Sequence, residues 1–121
     1  MVSIHMQSVQ FSNLGYVRST VEEFQIKELR AWIDRIDDST ETIDHSHVGV
    51  IEREYEITHQ PAKDELSNIL GPMCGKYCED MHFSYESRPM GLGTAWCNLQ
   101  QRGEYFAAHT HVGLLSFALW L

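Results

Sequence analysis

Two histidines one residue apart, His109 and His111, are the residues of this chain whose type and spacing best suit chemistry. On an extended backbone, side chains at i and i+2 point to the same side. Two neutral imidazoles can then converge on one Fe, Zn, Cu or Ni ion. A catalytic mononuclear centre needs a third ligand and an open position besides. A lone His-x-His in a strand is more often a surface or packing pair. Here it follows a Gly103 turn and opens the apolar run Val112–Leu121, a setting in which the mouth of a barrel would hold a metal.

Other donors are weaker. Cys74, Cys78 and His82 stand at i, i+4 and i+8, on one face if a helix runs that far. That is part of a zinc set without an evident fourth ligand, and packing is the favoured reading. His45-Ser-His47 sits in a polar stretch and reads as solvated. Glu52, Glu54 and Glu56 form an acidic ladder that a wet strand face explains. No phosphate-binding glycine loop, Ser-His-Asp order or cysteine-nucleophile motif is present.

These residues must be positioned by a modest set of elements. Residues 1–19 alternate weakly and predict one short strand or an irregular arm. Thr20 and Glu23 have capping-box spacing. Ile26, Leu29, Ile33 and Ile36 then follow at helical spacing, predicting an amphipathic helix that ends near Asp37. The segment 37–47 is polar and predicts a loop. Residues 48–57 alternate, with Ile51, Tyr55 and Ile57 on one side and the three glutamates on the other, as in a strand with one wet face. Gln60-Pro61 restarts a helix, with Leu66, Ile69, Leu70, Met73 and Tyr77 as its apolar stripe. Gly71-Pro72 predicts a kink or two shorter helices. A loop over 83–93, with a short strand near Phe83–Tyr85, leads to a strand in which Trp96, Asn98 and Gln100 share one face and Ala95, Cys97 and Leu99 the other. Trp96 reads as core on that pattern. Asn98 and Gln100 are the side chains that could hydrogen-bond a cosubstrate or a ligand histidine; satisfying neighbouring backbone is the competing use. Val112–Leu121 predicts a final, very apolar strand.

The chain has 121 residues, of which 43% are hydrophobic, so a core is possible and disorder is not expected. Nine Lys+Arg against 17 Asp+Glu give a net charge of −8, which argues against sequence-independent binding to nucleic acid or an anionic membrane. No apolar run approaches the roughly 20 residues of a spanning helix. The N-terminus lacks the features of a secretion signal, and three cysteines without such a signal fit reduced thiols. The expected location is the cytoplasm. The sequence stops at Leu121 inside an apolar run, and the expectation is a single domain, 1–121, incomplete at its C-terminus.

Trp96-x-Asn98-x-Gln100, Gly103-Glu104, His109-x-His111 and Ser116-Phe117-x-x-Trp120 together resemble a family of 2-oxoglutarate/Fe(II)-dependent oxygenases common in tailed phages of aquatic bacteria. Val48-Gly-Val-Ile-Glu-Arg-Glu-Tyr55 resembles the family's upstream segment. The likeness spans most of residues 21–121, and its specific part is 94–120. It implies an α+β fold with N-terminal helices packed on part of a double-stranded β-helix, a jelly-roll or cupin-like barrel of about eight strands when whole. It implies His109 and His111 as metal residues, Fe(II) and 2-oxoglutarate as cofactor and cosubstrate, and hydroxylation of an unknown substrate with decarboxylation of 2-oxoglutarate to succinate. The superfamily's usual motif is His-x-Asp with a distant His. His111 occupies the Asp position, so it is either a metal ligand in a three-His site or a supporting residue. No histidine follows His111 and no arginine follows Arg102 to complete iron and 2-oxoglutarate binding, so the chain as given is expected to be inactive. The alternatives are a non-catalytic viral structural or interaction protein on the same barrel, and a cupin-like three-His metalloenzyme.

Overall fold

The computed structural model describes residues 6–10, 15–43, 49–82, 90–106 and 113–121. It is a small α+β fold whose elements fall into two compact units, one from Met1–Asp34 with His59–Leu92, the other from Arg35–Thr58 with Gly93–Leu121.

In the first unit, the N-terminal segment forms a hairpin rather than one strand or an irregular arm. β1 (Met6–Gln10) pairs antiparallel with β2 (Gly15–Ser19), with Met6 opposite Ser19 and Gln10 opposite Gly15. Weak alternation concealed two strands because only one face of β2 is partly covered, so Tyr16 and Arg18 stay exposed. Arg18 Nε donates across the hairpin to Gln7 Oε1 at 2.7 Å. A 3-10 turn (Glu23–Ile26) leads into α1 (Lys27–Asp34). The start lies two residues after the predicted Thr20 box. Gln25 Oε1 accepts the Glu22 N–H at 2.9 Å, while Gln25 N–H donates to the Glu22 carbonyl at 2.9 Å. The helix stops at Asp34, before Ile36 and Asp37. Beyond it, Asp37 organises a turn: its carboxylate accepts the Ser39 N–H at 2.9 Å and the Ser39 hydroxyl at 2.5 Å.

α2 (Gln60–Asp80) is one continuous helix that passes through Gly71-Pro72, where two shorter helices were one expectation. Pro61 stands in its first turn, where a missing N–H costs nothing. Pro72 deprives the Asn68 carbonyl of its partner, but both residues lie on the exposed side, where water can replace the bond. Ile26, Leu29, Ala62 and Leu66 are all 2% exposed or less and form the core where α1 meets α2. The hairpin lies against α2 as well. The Ser8 hydroxyl donates to Asp80 Oδ2, and Lys76 Nζ pairs with the same oxygen at 2.8 Å.

In the second unit, β3 (Gly49–Val50) pairs with β6 (Tyr105–Phe106), and β4 (Glu54–Glu56) pairs with β5 (Trp96–Asn98), both antiparallel. The single strand expected over 48–57 is thus two short ones. The β4–β5 ladder is extended by Ile57 N–H to Ala95 O at 2.9 Å and Leu99 N–H to Arg53 O at 2.8 Å. Ile43 N–H donates to the Glu54 carbonyl at 2.9 Å and adds a segment to the other side of β4. Tyr55, Ile57 and Ala95 are buried, as Tyr55 and Ile57 were expected to be.

Three expectations change here. Glu54 is buried, so the acidic ladder is wet only at Glu52 and Glu56. Trp96 is 41% exposed; the covered side of β5 is that of Ala95, Cys97 and Leu99. Among the described residues 113–121 no strand forms, and Leu114, Phe117, Trp120 and Leu121 are exposed. A strand exists only where a neighbour completes its hydrogen bonds, and apolar content alone does not supply one. The strand suggested near Phe83–Tyr85 lies outside the described residues. Among the described residues no helix is long and apolar enough to cross a membrane.

Candidate functional site

The arm that leads to His109 and His111 begins at β5 and its turn. Gly103 adopts φ +90°, a conformation that favours glycine. Glu104 closes the turn in several ways. Its N–H donates to the Gln101 carbonyl at 3.1 Å, its Oε2 accepts the Gln101 N–H at 2.7 Å, and its Oε1 accepts the Glu52 N–H at 3.1 Å. One carboxylate therefore holds both ends of a turn and the segment between β3 and β4. Sequence reading gave Glu104 only a place in a motif. Its signal, an acidic side chain three residues after a turn opens, is too common to single it out.

Of the two residues expected to contact cosubstrate, Gln100 spends one amide N–H on the Glu104 carbonyl at 2.6 Å. Asn98 is exposed at the end of β5, opposite Glu54 in the register. The two do lie on one side of the strand, with Trp96, as alternation required. From Phe106 the chain enters the His109-Thr-His111 segment, which lies outside the described residues, as does His45-Ser-His47. β6 is paired immediately before it with β3, where the two backbones approach closely at Gly49. A Cβ on Gly49 would strike the Tyr105 carbonyl oxygen and come within 2.6 Å of Phe106 Cα.

The other donors separate. Cys74 and Cys78 are half-buried on α2, but the helix ends at Asp80 and His82 takes φ +52°, so the third member leaves the helical face. Among the described residues no group of three or more His, Cys, Asp and Glu side chains is placed to hold a metal. All three cysteines are free thiols. Burial pushes the Cys97 thiol up, and burial followed by the neighbouring Cys78 does the same to Cys74, so neither is an activated nucleophile.

Glu65 is a second functional-looking carboxylate that sequence reading missed. Its two oxygens accept the N–H groups of Glu28 and Leu29, each at 2.8 Å, so α2 supplies the cap for the start of α1. His59, at the N-cap of α2, faces Glu28 with Nε2 3.5 Å from Oε2. A shallow groove of about 280 Å³ is lined by Phe24, Gln25, Glu65, Asn68 and Ile69. Its one carboxylate is already committed to capping, which leaves the groove without a free catalytic group. No family profile, curated protein or solved structure matches this chain.

Proposed function

We propose that this chain belongs to an Fe(II)/2-oxoglutarate-dependent oxygenase of phage origin, acting in the cytoplasm, with its short antiparallel strands belonging to a double-stranded β-helix. The observation that carries this reading is the sequence pair His109-Thr-His111, set directly after a glycine turn and a strand whose partner is fixed in register. The order of parts implied by the resembled family, helix, strand, helix, strand and then the His-x-His segment, is compatible with the described succession of α1, β3 and β4, α2, β5 and β6.

His109 and His111 would hold the metal as neutral imidazoles. Bound iron with 2-oxoglutarate supplies oxygen activation, with decarboxylation of the oxo acid coupled to hydroxylation of a substrate. The chain's own part is to orient and to bind. A carboxylate cosubstrate needs hydrogen-bond donors, and Asn98 is the better placed of the two amides, because Gln100 already spends one N–H on its turn. The turn held by Glu104 fixes the approach to β6, the last described residues before the histidine segment.

Anaerobic titration with Fe(II), or with Co(II) as a coloured probe, tests the metal. The wild-type chain should bind one equivalent, and His109→Ala should weaken it by at least about tenfold, the loss that even indirect support of a metal ion causes. His111→Ala distinguishes ligand from support by the size of its loss. Equal binding by wild type and His109→Ala sinks the proposal.

A further inference from the structure

We propose that Cys74 and Cys78 form a dithiol site for a soft, low-coordinate cation of the Cu(I) class, separate from the histidine pair. The two residues stand at i and i+4 on the continuous helix α2, where Cβ atoms lie about 5–6 Å apart. Flexible thiols at that spacing can close on one ion. Both lie beyond Gly71-Pro72 in the stretch of α2 that runs to Asp80, so they share one face. Both cysteines are free and half-buried, so each is reachable and partly shielded from water. The sulfurs are near enough that Cys78 raises the proton affinity of Cys74. Met81, the C-cap residue of α2, is the next sulfur-bearing residue in sequence.

Ligand softness sets the ion class. Thiolate and thioether donors select Cu(I), and hard donors are not needed. The departure of His82 from the helical face removes the nitrogen that a zinc set would use. Local charge is permissive, because the Lys76 ammonium, between the two cysteines in sequence, is paired with Asp80 at 2.8 Å. Binding forms two metal–sulfur bonds and releases two thiol protons, with no change in oxidation state. Apparent affinity should therefore rise by up to about 100-fold per pH unit while both thiols are protonated.

The reduced full chain, titrated anaerobically with Cu(I) against a chromogenic Cu(I) chelator, tests this. One Cu(I) per chain should be retained in wild type, in Cys97→Ala and in the double variant His109→Ala/His111→Ala. Cys74→Ala or Cys78→Ala should weaken it at least about tenfold. Survival of binding in Cys78→Ala, loss of it in Cys97→Ala, or a pH dependence below tenfold per unit overturns the site. A readout free of substitutions guards against variants that fail to fold. In wild type, Cu(I) should protect Cys74 and Cys78 from alkylation, read by peptide mass, and alkylation at the same rate with and without Cu(I) also overturns it. Loss of Fe(II) binding in His109→Ala is a separate outcome, so either reading can fail alone.

Discussion

The unit of Met1–Asp34 and His59–Leu92 is built on packed helices, whereas the unit of Arg35–Thr58 and Gly93–Leu121 is built on short strand pairs. In the first, Ile26, Leu29, Ala62 and Leu66 interlock, Glu65 caps the neighbouring helix, and Ser8 and Lys76 converge on Asp80. In the second, strands of two and three residues pair across long stretches of chain, Glu54, Tyr55, Ile57 and Ala95 are buried along β4 and β5, and Leu114, Phe117 and Trp120 are exposed. Helical cohesion is local and tolerates a short core. Strand pairing must first offset the entropy of closing long loops. The lesson is that stability and candidate chemistry are placed differently. The helix-on-helix core is in the first unit, while the proposed iron residues follow the short strands of the second.

The sharpest way to break this contrast is to remove its centre. Leu66 is 2% exposed at the contact of α2 with α1. Leu66→Ala should destabilise by about 2–5 kcal/mol, through lost burial and the cavity left behind. Denaturant unfolding followed by far-UV circular dichroism measures it. A cost under about 1 kcal/mol would mean that the helical unit is not held by this core.

The second unit should yield to a smaller change of another kind. Gly49→Ala adds a single methyl group, but it collides with the Tyr105 carbonyl and the Phe106 backbone. Either β3 and β6 separate or both shift, at a cost of about 1–3 kcal/mol, the usual range for overpacking. Amide hydrogen exchange should show loss of protection confined to residues around Val50 and Tyr105, with α2 unaffected. Unchanged protection there would show that the β3–β6 approach is looser than its geometry states.

The same contrast explains what could be read from the sequence. Most of α2 was legible because its signals are local: Pro61 at the start, Leu66, Ile69, Leu70 and Met73 at helical spacing. Its continuity through Pro72 was not, since that depends on exposure of the Asn68 carbonyl to water. The start of α1 was displaced because Thr20/Glu23 and Glu22/Gln25 both offer a box, and only the chain's exit from β2 decides between them. For β5 the two faces were sorted correctly, yet Trp96 was given the inner side. Alternation fixes which residues share a face, not which face is covered. Glu54 was expected to be wet for the same reason. Its burial comes with a segment distant in sequence, Ile43, hydrogen-bonding along β4. Asn98 and Gln100 were legible as a pair on one side, but the bond from Gln100 to Glu104 needs the turn's geometry. Roles of long carboxylates such as Glu65 and Glu104 leave no periodic trace. His109 and His111 were legible only as residue types at a spacing.

The smallest effect sharpens the contrast at the edge of the helical unit, where the hairpin meets α2. The hydrogen bond from Lys76, followed by that from the Ser8 hydroxyl, holds the Asp80 carboxyl below its ordinary value. A carboxyl whose folded pKa is depressed contributes stability that is complete above the unfolded value, about 3.9. The contribution is lost as pH falls through the lower folded value. Wild type should therefore lose stability more steeply than Asp80→Asn as pH falls below about 4, while the two should run parallel above about 5. The site is open to solvent, so the difference is small. Urea midpoints across that range measure it. Parallel curves throughout would mean that Ser8 and Lys76 do not anchor the hairpin through Asp80. The hairpin would then be held against α2 by contacts other than these two polar ties.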